Sequence, residues 1–149
     1  MLIGGSELFK TSKLSRKVVS MERMTELFVV VENKPSALGD LLGHLAKEKI
    51  NIEAIGLFQD VAKLSVSDVN LALKALRGGK YQVEMREVLR LELDNKPGSF
   101  AFVASRLGAV GINIEYCYCT VSKGHKSASV ILDVADLDGA MTALEGAES

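Results

Sequence analysis

Asn33-Lys34-Pro35 opens a stretch that closes on Ile50-Asn51-Ile52-Glu53, and the chain repeats it as Asn95-Lys96-Pro97 and Ile112-Asn113-Ile114-Glu115. Both pairs stand 62 positions apart, since 95 − 33 and 112 − 50 are equal. A turn motif and a strand motif held at constant separation mark a duplicated structural unit. Between them, Leu38, Leu41, Leu42 and Leu45 fall at i, i+3, i+4 and i+7, and Phe100, Val103, Ala104 and Leu107 repeat that spacing. Each set is the apolar stripe of a core-facing helix. The helices are expected to end near Lys49 and Gly111, the glycine suiting a left-handed C-terminal position.

Working outward, residues 27–31 and 88–93 are apolar-rich and read as first strands. In the second copy Leu89, Leu91 and Leu93 alternate with Arg90, Glu92 and Asp94, the pattern of a half-buried strand. Second strands open at Asn51 and Asn113, and third strands follow over 61–66 and 127–134. Asp68 and Asp136 read as helix N-caps. Their offset of 68 gives the second hairpin six extra residues, with Lys123-Gly124-His125 at its tip. Short helices carry Val69, Ala72, Leu73 and Leu76 in one copy and Leu137, Ala140, Met141 and Leu144 in the other. Gly78-Gly79 ends the first of these, and residues 81–85 supply a fourth strand.

The order β-α-β-β-α-β predicts an α+β protein of two ferredoxin-like units, each an antiparallel sheet with its helices on one face. The second unit has five residues after Leu144, so its last strand is short or missing. The expected organisation is a flexible N-terminal extension over 1–23, a first module over 24–86 and a second over 87–149; the alternatives are that residues 14–20 add an edge strand and that another segment covers the open edge of the second unit. With Leu27, Val29 and Val31 facing the helices, Phe28, Val30, Ile55 and Leu57 form an apolar outer face and imply a partner surface.

Composition narrows the function classes. The chain has 149 residues, 48% apolar and 25% charged, with a net charge of −1, so no global field points to nucleic acid or an anionic membrane. Its longest apolar run, 27–31, is too short to span a bilayer. Two cysteines make no disulfide framework and fit a reducing, cytoplasmic compartment. Residues 1–20 carry Lys10, Lys13, Arg16 and Lys17 against Glu7 alone and lack the apolar core of a secretory signal. No nucleophile triad, paired-carboxylate, phosphate-loop or metal-ligand spacing appears, so no catalytic residue, metal or cofactor is expected. His44 aligns with Arg106 on the polar side of the helix and reads as solvated. Cys117 and Cys119, two apart on one strand face, read as core or interface thiols.

The candidate binding residues sit at the repeated turns. Ser36, Ala37 and Leu38, and Gly98, Ser99 and Phe100, offer helix N-terminal N–H groups that lack helical acceptors. Their dipole favours an anion such as a carboxylate. Asn33 and Asn95 add amide donors and acceptors, and Asn51 and Asn113 supply another such group. Together these suit a zwitterion. The same residues also suit plain turn chemistry: Asn-Lys-Pro as a turn, Ser36 or Ser99 as a cap, Asn51 or Asn113 as the closure of a helix-to-strand turn. A phosphate-binding hydrolase on this fold needs an arginine in the first turn, where Lys34 and Lys96 stand. An RNA-binding sheet needs aromatics, and Phe28 is the sole one on either first strand.

The pattern of strand, Asn-Lys-Pro, apolar helix and Ile-Asn-Ile strand resembles the ACT domain, a small ligand-sensing module of amino-acid metabolism. The resemblance covers residues 25–146, and the whole chain is similar to stand-alone tandem ACT proteins, with Glu115-Tyr116-Cys117-Tyr118 similar to their second module. It implies a non-catalytic sensor that binds free amino acids where the first turn and helix of one module meet a partner module, and it implies a homodimer. Asn33, Asn51, Asn95 and Asn113 match effector-holding positions of serine-binding members. The resemblance also admits a regulatory subunit of a separate amino-acid biosynthetic enzyme. The chain departs from the family at Ser36, where glycine is usual, and at Val31 and Leu93, where serine-sensing members carry histidine.

Overall fold

The computed structural model describes residues 18–120, 124 and 126–145. The described residues divide into two compact units, one of Thr25–Glu87 and one that joins residues 18–24 to those from Val88 to Glu145.

In the Thr25–Glu87 unit, the closing half of β1 (Val18–Val30) runs antiparallel to β3 (Val61–Val66), with Leu27 opposite Leu64 and Val30 opposite Val61. Strand β2 (Ile52–Phe58) flanks β3, placing Phe58 opposite Val61 and Ile52 opposite Val66. The Val30 N–H donates to the Gln82 carbonyl at 3.0 Å, which brings the start of β4 (Val83–Asp94) beside the end of β1. Helices α1 (Ala37–Lys47) and α2 (Val69–Gly78) pack Leu41, Leu45, Ala72, Leu73 and Leu76 onto Leu27, Val29, Ala62 and Leu64. Helices this short are marginal alone in water. Burial of each leucine, about 1.5–3 kcal/mol, is what holds them. Asp68 caps α2 as expected, its Oδ1 accepting from the Leu71 N–H at 3.0 Å.

The other unit pairs β4 with β6 (Ser127–Val134), Leu89 opposite Leu132 and Asp94 opposite Ser127, and β6 with β5 (Ile114–Thr120). Helices α3 (Ser99–Ala109) and α4 (Leu137–Glu145) bury Val103, Leu107, Ala140 and Leu144 on Leu89, Leu91, Leu93, Val130 and Leu132. Asp136 accepts from the Gly139 N–H at 2.8 Å at the head of α4.

The expected extension is corrected over residues 18–23, and the missing last strand of the second unit with it. Residues 18–23 are strand, and Val18, 2% exposed, lies in the core of the second unit with Met21 packed against it. The opening half of β1 thus lies beside β4, where the last strand of a ferredoxin-like unit belongs. Arg23 on this strand pairs with Asp138 of α4. An unpaired edge on β4 would expose a row of backbone donors and acceptors, and this segment covers it. Residues 1–17, Lys123 and His125 lie outside the described residues.

The outer face of the first unit is less apolar than expected. Val30, Ile55 and Leu57 are exposed. Phe28, however, carries two cations, with Lys63 Nζ 4.8 Å and the Arg86 guanidinium 4.4 Å from its ring centre. Lys63 and Glu26 are buried there as well.

Candidate functional site

Each Asn-Lys-Pro turn enters its helix through one residue in the left-handed conformation. Gly98 has φ 90° and ψ −11°, and Ser36 has φ 69° and ψ −14°. Glycine adopts this shape freely. Ser36 carries a Cβ into a region that costs on the order of 1–3 kcal/mol. The two turns therefore keep one shape although the usual glycine is absent from the first.

The shape leaves the helix starts open. The Asp40 N–H donates to the Ser36 carbonyl, and the Phe102 N–H to the Gly98 carbonyl, both at 2.9 Å. The Ser36 side chain makes no capping bond. Among the described residues, the N–H groups of Leu38 and Gly39, and of Phe100 and Ala101, meet no acceptor. They carry the positive end of each helix dipole.

A cavity lies beside each turn. The first, about 350 Å³, is lined by Val30, Val31, Glu32, Lys34, Ala37, Asp40, Lys80, Tyr81 and Gln82. It holds charges of both signs. Glu32 and Lys34 pair at 2.8 Å, and the hydrogen bond to Glu32, followed by its negative charge, raises the Lys34 pKa above the ordinary lysine value. The second, about 230 Å³, is lined by Leu93, Asp94, Asn95, Lys96, Ser99, Phe100, Cys119, Ala128 and Val130. Its walls are chiefly apolar. The first lies at the low end of the roughly 300–1,000 Å³ range of drug-sized ligand pockets and the second below it, which suits a metabolite better than a dinucleotide.

Of the residues singled out from the sequence, Ala37 lines the first cavity, and Asn95, Ser99 and Phe100 line the second. Ser36 and Gly98 shape the turns. Leu38 packs against the first core. Asn33 is exposed and does not line the first cavity. Asn51 and Asn113 are not brought to the turns within either unit. Val30, which leads into Asn33, pairs through Val61 with Phe58, whereas Ile52 after Asn51 pairs with Val66. Asn51 thus lies at the opposite end of its sheet, about 20 Å away at 3.3 Å per strand residue. The second copy repeats this, with Asp94 opposite Ser127 and Ile114 opposite Val134. Asn51 bonds Ser67 twice through its backbone, its N–H donating to the Ser67 side-chain Oγ at 3.1 Å and its carbonyl accepting from the Ser67 N–H at 2.9 Å. The Asn113 amide donates to Glu115 at 3.1 Å.

Sequence reasoning missed Tyr81, Gln82 and Lys80, although a fourth strand paired to the first brings them to the turn. It also missed His44. That ring is not simply solvated: Nε2 donates to the Ala75 carbonyl at 2.6 Å, and the ring lies 5.9 Å from that of Tyr81. Cys117 packs against the second core, and burial, with a smaller contribution from Cys119, pushes its pKa up. Cys119 is exposed and both thiols are free. Among the described residues no cluster of three or more His, Cys, Asp or Glu could hold a metal ion, and no helix is long and apolar enough to cross a membrane.

No protein-family model matches the chain, and no curated protein matches it. Solved structures do. Protein BT0572 from Bacteroides thetaiotaomicron superposes with a TM-score of 0.77 at 30% identity, over 86% of this chain and 90% of that one. The regulatory subunit of aspartate kinase from Thermus flavus gives a TM-score of 0.65 at 16% identity, over 89% and 97%. E. coli aspartokinase III, solved in complex with lysine and aspartate, gives 0.55 at 12% identity, over 86% of this chain and 31% of that one. The chain belongs to the same family as the Bacteroides protein BT0572, and its fold is the ACT-like fold found in the aspartate kinase regulatory subunit.

Proposed function

We propose that this chain is a non-catalytic regulatory protein that binds free amino acids at the cavities beside its two repeated turns. The observation that carries the reading is the recurrence, in both copies, of a left-handed turn residue, two helix N–H groups without acceptors and an adjoining small cavity. The N–H groups receive the carboxylate, and in the first cavity Glu32 and Asp40 offer the ammonium its counter-charge. The structural neighbours support a regulatory role, and one of them was solved with two amino acids bound. Asn51 and Asn113 belong to these sites only if a second copy of the chain brings them there, as a homodimer would.

A second reading makes the chain a regulatory subunit that acts on a separate amino-acid biosynthetic enzyme. Its support is that the chain spans 97% of the Thermus flavus regulatory subunit. Either way the ligand acts by binding one arrangement of the protein better than another. A thermal-shift screen of the twenty amino acids tests the first reading. A ligand-specific rise that is lost in Lys34→Ala or Asn95→Ala supports it, and no rise with any amino acid counts against it. Co-purification of an enzyme from native extract tests the second.

A further inference from the structure

The two cavities differ in chemistry, and the difference centres on Ser99. This residue is 4% exposed, lines the second cavity, and among the described residues its hydroxyl has no hydrogen-bond partner. A buried hydroxyl without a partner is a penalty that native proteins seldom leave standing. It stands in the first turn of α3, next to the open N–H groups of Phe100 and Ala101. The side chains beyond it are Leu93, Phe100, Ala128 and Val130, with half-buried Asp94 and exposed Asn95, Lys96 and Cys119 completing the lining. The cavity at the equivalent turn in the first unit has four charged side chains in its lining, Glu32, Lys34, Asp40 and Lys80, against two in the second, Asp94 and Lys96.

We propose that the second cavity is a separate site for a small monocarboxylate with a short apolar side chain, its carboxylate on the Ser99 hydroxyl and the α3 N-terminal N–H groups. The assignment rests on the sensor reading above and adds that the two sites select different ligand classes. The volume fits. At about 30 Å³ per water, 230 Å³ holds roughly seven or eight waters, or a branched-chain acid of similar atom count. The head group satisfies the orphan hydroxyl, and the side chain displaces water from apolar walls. A cationic or dianionic side chain laid against Leu93, Phe100, Ala128 and Val130, rather than at Asp94 or Lys96, would be stripped of water with little in return. An apolar amino acid and its 2-oxo acid share this chemistry. Asp94 at the rim offers a counter-charge only to the former.

Cys119 reports occupancy. It is the more exposed thiol, and burial keeps Cys117 less reactive. The full chain is treated with iodoacetamide alone or with leucine, 4-methyl-2-oxopentanoate, lysine or aspartate, and alkylation of each cysteine is read by peptide mass spectrometry. Calorimetry on the same samples gives affinities. Leucine or its oxo acid is expected to slow Cys119 alkylation at least fivefold, and a greater effect of leucine identifies the ammonium as part of recognition. Lysine and aspartate are expected to leave the rate unchanged. Ser99→Ala is expected to keep or raise the melting temperature of the free protein and weaken binding at least tenfold. Ala128→Leu, which fills the cavity, is expected to abolish protection. Equal protection by lysine or aspartate overturns the proposal, as does leucine binding that leaves Cys119 unprotected. A lower melting temperature in Ser99→Ala with unchanged affinity would make Ser99 structural and also overturn it. Binding of charged amino acids without any Cys119 protection defeats this inference and leaves the sensor reading intact. Absence of binding by every compound defeats both.

Discussion

The His44 imidazole reaches from α1 to the Ala75 carbonyl of α2 across 2.6 Å, and 62 positions later Arg106 reaches from α3 to the Ala143 carbonyl of α4 across 3.1 Å. One inter-helix hydrogen bond is thus kept in both copies with different side chains. To donate, the imidazole must carry a proton on Nε2.

Loss of that bond is expected to destabilise the first unit. His44→Ala should cost about 1 kcal/mol in urea unfolding. A Cβ at Gly79 would stand 2.7 Å from His44 Nε2, so Gly79→Ala should cost about 1–3 kcal/mol by overpacking. In the His44→Ala background the Gly79→Ala cost should fall below about 0.5 kcal/mol, because the two residues are direct neighbours. Additive costs would contradict this contact.

The two turns make opposite predictions for one exchange. Ser36→Gly removes left-handed strain but adds unfolded-state freedom, and should stabilise by about 0.5–1 kcal/mol. Gly98→Ser imposes the same strain and should destabilise by about 1 kcal/mol. Equilibrium unfolding of both variants checks the signs.

Val18→Asp should cost about 3 kcal/mol or more, by losing an apolar contact and burying a carboxylate. Hydrogen exchange should then quicken in β4 from Val88 onward and in β6, while the β2–β3 hairpin keeps its protection. An unchanged pattern would mean that the segment before Thr25 is a passive extension.

The strand before Thr25 was legible only as the less favoured reading, an edge strand over residues 14–20, and its pattern explains why. Alternation is regular from Leu27 to Val31 but fails upstream, where Val18 and Met21 are three apart and the charged Glu22 and Arg23 follow. The helices, hairpins and caps were legible because each was written twice, so that Asp68 and Asp136, or Leu41 and Val103, corroborated one another. The turns were legible for the same reason. The cavities were only half legible, because their walls come from Tyr81, Gln82, Ala128 and Val130, which strand pairing brings to the turns. Asn51 and Asn113 stand at the far end of their sheets from the turns of their own unit, a separation that repetition alone does not reveal.

The Glu32–Lys34 pair predicts a titration. Because Glu32 holds Lys34 above its ordinary pKa, the pair is complete at neutral pH and is lost only as alkaline pH passes that raised value. Lys34 is exposed, so Glu32→Gln should leave the melting temperature unchanged. It should return the Lys34 pKa to the ordinary lysine range, as followed by NMR of the side-chain ammonium. A Lys34 pKa that does not move would show that Glu32 is not its partner in solution.

Backbone amide NMR during titration with the twenty amino acids, singly, tests the central claim most directly. The account predicts that a binding amino acid shifts the amide signals of Leu38 and Gly39, or of Phe100 and Ala101, more than those of the sheets. Saturable binding that leaves all four amides unmoved, or no binding by any amino acid, would contradict it.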